Sequence, residues 1–133
     1  MSSKTRLLFD THAFLAFFNR EEGSECIRKH MVSIQNEDAE GFVATITLAE
    51  LACIYTRKAD ASAARLRVLQ IQHSKLNLIP LTAEIAVDAG IIKQPGISVA
   101  DAIIAASARS VDAGVVTNDP HFSKMGVDVS GYP

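Results

Sequence analysis

The chain has 133 residues, 48% of them hydrophobic and 21% charged, with a formal net charge of −2. This excludes a disordered chain, and the length permits one domain with a real hydrophobic core, expected over residues 1–133. No segment approaches the roughly 20 uninterrupted apolar residues of a membrane span, and the only apolar run before Asp10, Leu7-Leu8-Phe9, is too short for a signal peptide, so a cytoplasmic location is expected.

Short β-like runs alternate with longer helical ones. Arg6–Phe9 reads as a strand, and Phe14, Leu15, Phe17 and Phe18 follow on helical spacing. Ile27, Met31 and Ile34 predict an amphipathic helix from about Ser24 to Asp38. Gly41–Thr45 is a second strand, and Thr47–Tyr55 a largely apolar helix ending near Lys58. After a turn at 59–62, Ala63–Lys75 is helical, with Leu66, Leu69 and Gln70 on one side. Asn77–Pro80 is a third strand, and Ala83 to about Ile92 a helix with Ile85, Ala86 and Ala89 inward. Gln94-Pro95-Gly96-Ile97 breaks this helix. Ser98–Ala108 is Ala-rich and apolar enough to be a central, nearly buried helix, followed by strands at Gly114–Thr117 and Val127–Val129. The order predicts an α/β fold, a three-layer α/β/α sandwich around a mostly parallel sheet of four to five strands.

Cys26 and Cys53 fit no metal-ligand spacing and are expected as small buried hydrophobes in a reducing compartment. The chemistry-bearing residues are instead four acids. Asp10 ends the first strand before a helical run. It is either an N-cap or a ligand at the carboxyl end of a parallel strand, where open α/β sheets place their chemistry. Glu50 completes a capping box, Thr47-x-x-Glu50, yet is the only charged residue between Gly41 and Tyr55, in a helix that reads as buried on most sides. Asp101 stands in the first turn after Ser98, where the helix dipole favours an acid. It is also the only charge between Lys93 and Arg109, and a buried acid persists only when paired or metal-bound. Asp119, in Thr117-Asn118-Asp119-Pro120, is a turn residue or the fourth member of a cluster.

All four fall at strand ends or helix starts, on one edge of a parallel sheet. Charges brought so close repel by ~1 kcal/mol per pair in water and ~4 kcal/mol at an intermediate dielectric, so the cluster calls for a hard divalent cation or for raised pKa values. All-oxygen ligands favour Mg²⁺ or Mn²⁺ over zinc. With four of the 15 acids committed to a cation, the 13 bases leave the remainder slightly positive, so net charge is neutral evidence on partners.

The segments Leu8-Phe9-Asp10-Thr11-His12-Ala13, Thr45–Leu51, Ile97–Ala106 and Val116–Phe122 resemble, in order, the four acidic motifs of PIN-domain ribonucleases, specifically the VapC toxins of toxin–antitoxin pairs. The resemblance covers Arg6 to Phe122. It implies an endoribonuclease cutting single-stranded RNA, with a Mg²⁺ or Mn²⁺ site formed by Asp10, Glu50, Asp101 and Asp119 and with the Thr117 hydroxyl at its margin. It also implies a homodimer and a cognate antitoxin whose tail approaches the acids; the apolar and basic residues around 47–70 are the expected surface for it. His12 departs from the small polar residue common in the family, and Asn118 from the usual basic residue before the fourth acid.

On that reading Asp10, Asp101 and Asp119 are direct or water-mediated ligands, and Glu50 is a ligand or the group that orients and deprotonates water. Thr11 and Ser98 donate to the scissile phosphate or to the carboxylates, or serve as helix caps. His12 and His121 contact RNA at the rim or are simply solvated. Arg57, Lys58, Arg65 and Arg67 meet phosphates, or are a solvated helix end. The aromatic residues read as core. A haloacid-dehalogenase-type phosphatase wants an aspartate where His12 stands, and a response-regulator receiver wants paired acids after the first strand and a late lysine; neither pattern is present. The remaining rivals are a free-standing RNA-processing enzyme and a catalytically weak PIN scaffold that acts as a binding module.

Overall fold

A computed structural model describes residues 4–133; Met1 to Ser3, part of the start read above for a targeting signal, lie outside the described residues. The elements are β1 (Thr5–Phe9), α1 (Thr11–Phe18), α2 (Ser24–Gln35), β2 (Ala39–Ala44), α3 (Thr45–Lys58), α4 (Ala61–Gln72), β3 (Asn77–Ile79), α5 (Ala83–Ile92), α6 (Val99–Ser110), β4 (Gly114–Val116), a 3₁₀ turn at Pro120–Met125, and β5 (Val129–Ser130). The sheet has the order β3-β2-β1-β4-β5, and every pairing is parallel. Among the described residues no helix is long and apolar enough to cross a membrane.

Parallel strands are covered on both faces, which is why the strands are apolar without alternation. Leu8, Phe42, Ala44 and Val115 point to the layer of α5 and α6, where Ile85, Ala89, Ile103 and Ile104 meet them. Leu7, Phe9, Val43 and Val116 point the other way, against Phe14, Ile27, Leu51 and Ile71 of α1 to α4. The Ala-rich helix α6 is the most buried, as expected: Ala102 through Ala108 are all buried. Small side chains let it lie close on the sheet.

Several expectations are corrected. β2 ends at Ala44, and α3 begins at Thr45 rather than Thr47. α3 buries only Thr47, Leu51 and Tyr55, so it is a surface helix rather than one enclosed on most sides. The inward face of α4 is Ala64 and Ile71, whereas Leu66 and Leu69 are about half exposed. Ala86 faces solvent between the buried Ile85 and Ala89. Cys53 is exposed and Cys26 only half-buried, so neither is a core residue. Phe17 and Phe18 sit at the margin of the core, while the other four phenylalanines are buried.

Gly23 caps α2 with φ +88°, and a Cβ there would come within 2.2 Å of the Tyr132 carbonyl oxygen. A side chain is excluded both by the left-handed backbone and by the chain end packed on it. Gly23→Ala is expected to cost ~2 kcal/mol or more, read as a lowered midpoint in thermal unfolding.

Candidate active site

β1 sits in the middle of the sheet. The chain moves from it to β2 on one side, and β4 pairs with it on the other. The crevice beyond the carboxyl ends of β1 and β4 is therefore a topological switch point, where helices diverge and leave room for a ligand. Asp10 follows β1 and Asp119 follows β4 by three residues. Asp101 is in the first turn of α6, which runs into β4, and Glu50 is in the second turn of α3, which leaves β2. The topology thus brings all four predicted acids to one edge of the sheet.

Each acid has a defined internal partner. Asp10, only 5% exposed, caps α1 by accepting the Ala13 N–H at 2.7 Å. Its own N–H donates to the Val116 carbonyl, tying it to β4. The Thr117 hydroxyl, fully buried, hydrogen-bonds the Asp10 carboxylate while accepting the Asp119 N–H at 3.0 Å. Asp101 shares a cap with Ser98, whose Oγ accepts the Asp101 N–H at 3.0 Å. Asp119 caps the 3₁₀ turn: one oxygen, Oδ1, accepts both the His121 N–H at 2.9 Å and His121 Nδ1 at 2.8 Å. Glu50 caps nothing. Ala44 occupies the N-cap of α3, and Thr47 lies inside the helix, so the capping box read from Thr47-x-x-Glu50 does not form. Glu50 Oε1 instead accepts the Thr11 hydroxyl at 2.6 Å.

The electrostatics join three of the four. Burial pushes the Asp10 carboxyl up; Thr117, the Ala13 amide and His12 oppose this, and the charge of Asp101 adds to it. Burial also raises Asp101, against Ser98 and His12 and with help from Asp119. Burial acts upward on Asp119 too, but the His121 amide and ring, with His12, outweigh it and hold that carboxyl below its ordinary range. Two acids whose ionised forms are disfavoured, beside a third that stays ionised, form a site that a bound cation would relieve.

The donor set suits Mg²⁺ or Mn²⁺: carboxylate oxygens and hydroxyls, with no thiolate nearby. Among the described residues no three His, Cys, Asp or Glu side chains stand close enough to make a ready-made ligand cage. Both hydrogen bonds to Asp119 use Oδ1, which leaves its Oδ2 outside them.

The secondary residues sort as follows. Ser98 is a helix cap, and Thr11 is a hydroxyl donor to a carboxylate. His12 is exposed on the first turn of α1, near enough to Asp10, Asp101 and Asp119 for its charge to favour the ionised state of all three. Arg57, Lys58 and Arg65 are exposed, but Arg67 lies over the rings of Phe18 and Tyr55, at 4.6 and 5.6 Å from their centroids.

Two roles went unread in the sequence. His121 is an anchor of Asp119 and not a free rim imidazole. Asn118, read only as a departure, clasps the chain end: its Oδ1 accepts the Tyr132 N–H at 2.8 Å and its Nδ2 donates to the Tyr132 carbonyl at 3.3 Å. This steadies the loop that carries Asp119. The buried Tyr132 phenol is pushed up to about 12 by burial and by the charges of Asp10 and Glu21. No local pattern marks the Asn118 clasp, because it joins positions 14 apart. His121, in contrast, stands only two residues after Asp119, and that Asp-x-His spacing at a turn is the signal that could have found it.

Residues 7–128 match the PIN domain family, and the chain belongs to it. Among solved structures it is similar to VapBC2 from Rickettsia felis bound to a DNA fragment from its promoter: TM-score 0.76, 20% identity, covering 97% of this chain and 100% of that one. It is similar to DNA-bound VapBC from Salmonella typhimurium, with a TM-score of 0.75, 22% identity and coverage of 97% and 99%. The third is the Mycobacterium tuberculosis toxin VapC20, described as cleaving the sarcin–ricin loop, with a TM-score of 0.71, 17% identity and coverage of 91% and 95%. No curated protein matches the sequence significantly.

Proposed function

We propose that the protein is a Mg²⁺- or Mn²⁺-dependent endoribonuclease that cleaves single-stranded RNA, acting in the cytoplasm as the toxin of a VapBC-type pair. The observation that carries this reading is the gathering of Asp10, Asp101 and Asp119 at the β1/β4 switch point, the first two held above the ordinary carboxylate range by burial and neighbouring charge. When bound, the cation would lower the pKa of water and offset charge on the phosphoryl oxygens. Asp10, Asp101 and Asp119 would hold it directly or through its waters, and Glu50 would orient the attacking water and accept its proton. Incubation of the purified chain with single-stranded RNA should give cleavage in Mg²⁺ or Mn²⁺ and none in excess chelator. Undiminished cleavage in chelator would sink this mechanism.

The VapBC structures lend support to an antitoxin partner. We place it in an apolar groove of about 300 Å³ lined by Phe14, Phe17, Phe18, Met31, Arg67 and Ile71, which shares only α4 with the stretch 47–70. Arg67, stacked on Phe18 at the groove wall, would meet an acidic group of the incoming peptide. Arg67→Glu is expected to weaken binding of the cognate antitoxin at least ~10-fold by titration calorimetry while leaving RNA cleavage intact. The reading includes a homodimer. The exposed Val87, Ile91 and Val99 of α5 and α6 offer an apolar face for a second copy.

A further inference from the structure

Thr11 follows Asp10 directly, so its backbone is set by the turn in which the Asp10 carboxylate caps α1. Its side chain is 5% exposed and crosses to α3, where Oγ1 donates to Glu50 Oε1 at 2.6 Å and lies 3.5 Å from Oγ1 of the fully buried Thr47. A hydroxyl has one proton, and an ionised carboxylate only accepts. The short bond commits that proton to Glu50, so Thr11 has none to offer a phosphate.

Glu50 has a long side chain with three rotatable bonds. Among the described residues it forms no ion pair, and Thr11 is the one side-chain donor to its carboxylate. Without Thr11, no other side-chain hydrogen bond or ion pair among the described residues fixes the rotamer of Glu50. Thr11 in turn is held by burial and by Thr47, which joins the β1–α1 turn to the first turns of α3.

We infer that Thr11 is a positioning residue that holds Glu50 through Oε1, leaving Oε2 as the oxygen that meets a divalent cation or the attacking water. The inference rests on the metal-nuclease reading above. It decides between the two donor roles open to Thr11 in the sequence, and it assigns the threonine after the first acid to a residue 39 positions away.

The test compares wild type, Thr11→Val, Thr11→Ser, Glu50→Gln and the double variant Thr11→Val/Glu50→Gln, all as the full chain. Mn²⁺ affinity is read by electron paramagnetic resonance, kcat on single-stranded RNA by cleavage, and folding by thermal unfolding. Thr11→Val should lower kcat about ten- to a hundredfold, the usual effect of removing a group that orients a ligand. Thr11→Ser keeps the donor and should stay close to wild type. The double variant should be no worse than Glu50→Gln alone, because both changes disable the same unit.

Fully additive losses in the double variant, or equal damage by Val and Ser, would overturn the inference. If Thr11→Val does not fold, the serine variant decides: one as impaired as Glu50→Gln overturns it, and one near wild type supports it. Failure of the underlying reading looks different. There Glu50→Gln itself would leave both cleavage and Mn²⁺ binding unchanged, whatever Thr11 does.

Discussion

Asp10→Asn is expected to abolish RNA cleavage, by on the order of a thousandfold, and at the same time to stabilise the metal-free fold. Asparagine is as good an N-cap as aspartate, so the bond from the Ala13 N–H survives and α1 keeps its start. What disappears is a carboxylate that is 5% exposed and whose pKa is raised by burial, with the charge of Asp101 adding to the rise. A carboxyl raised in the folded state binds protons more readily there than in the unfolded chain. Its ionised form therefore lowers stability at pH above the folded pKa. As pH falls through that value, the penalty shrinks, and it is gone below the ordinary aspartate range. The variant should accordingly melt a few degrees higher than wild type at neutral pH, with the difference closing as the solution becomes acidic. Mn²⁺ should reverse the order, since ligand at a hundred times its dissociation constant stabilises the native state by about 2.7 kcal/mol and the variant has lost a ligand. Differential scanning calorimetry with and without the metal checks this without any activity assay. A wild-type melting point indifferent to Mn²⁺, or cleavage that survives the substitution, would defeat the assignment of Asp10.

The core was legible because its pattern is local. Arg6–Phe9 reads as a strand from its short apolar run, and the Ala-rich stretch 98–108 as a central, nearly buried helix; both are so. The strand order was not legible, because it is set by which crossover packs where, and three-residue strands such as β3 and β4 carry too few side chains to specify a neighbour. Helical faces failed where apolar residues are spread around the axis. In α4 the large Leu66 and Leu69 lost the inward position to Ala64 and Ile71, which suit the space left between α3 and the sheet edge.

The site was legible for a related reason, and ambiguous for the same one. Helix N-termini at the carboxyl edge of a parallel sheet are where acids serve as caps, and also where ligands bind. Asp10, Asp101 and Asp119 each satisfy or share a cap, and each contributes to one electrostatic cluster. On the proposed reading the cap and ligand roles coexist there. Part of the support that orients these acids was invisible: Asn118 clasps Tyr132, 14 residues away, and the Thr11 hydroxyl, open in the sequence to a phosphate, a carboxylate or a cap, meets its carboxylate 39 residues away.

Glu50 is the case where the two readings do separate, and it yields the second large expected effect. A capping glutamate would sit at the third position of its helix and reach back to the cap; Glu50 is the sixth residue of a helix that starts at Thr45 with Ala44 at the cap. Glu50→Gln should therefore leave the thermal midpoint nearly unchanged, as expected for a surface substitution that breaks no cap and opens no cavity. Glutamine keeps an acceptor oxygen for the Thr11 hydroxyl but loses the negative charge and the capacity to take a proton. Cleavage should fall by about a hundred- to a thousandfold, in kcat more than in KM, because the lost function belongs to the reacting water and not to RNA binding. Steady-state kinetics alongside a melting curve make the comparison. A variant that loses stability and keeps its kcat would return Glu50 to a purely structural part, and would leave Asp10, Asp101 and Asp119 to account for the chemistry on their own.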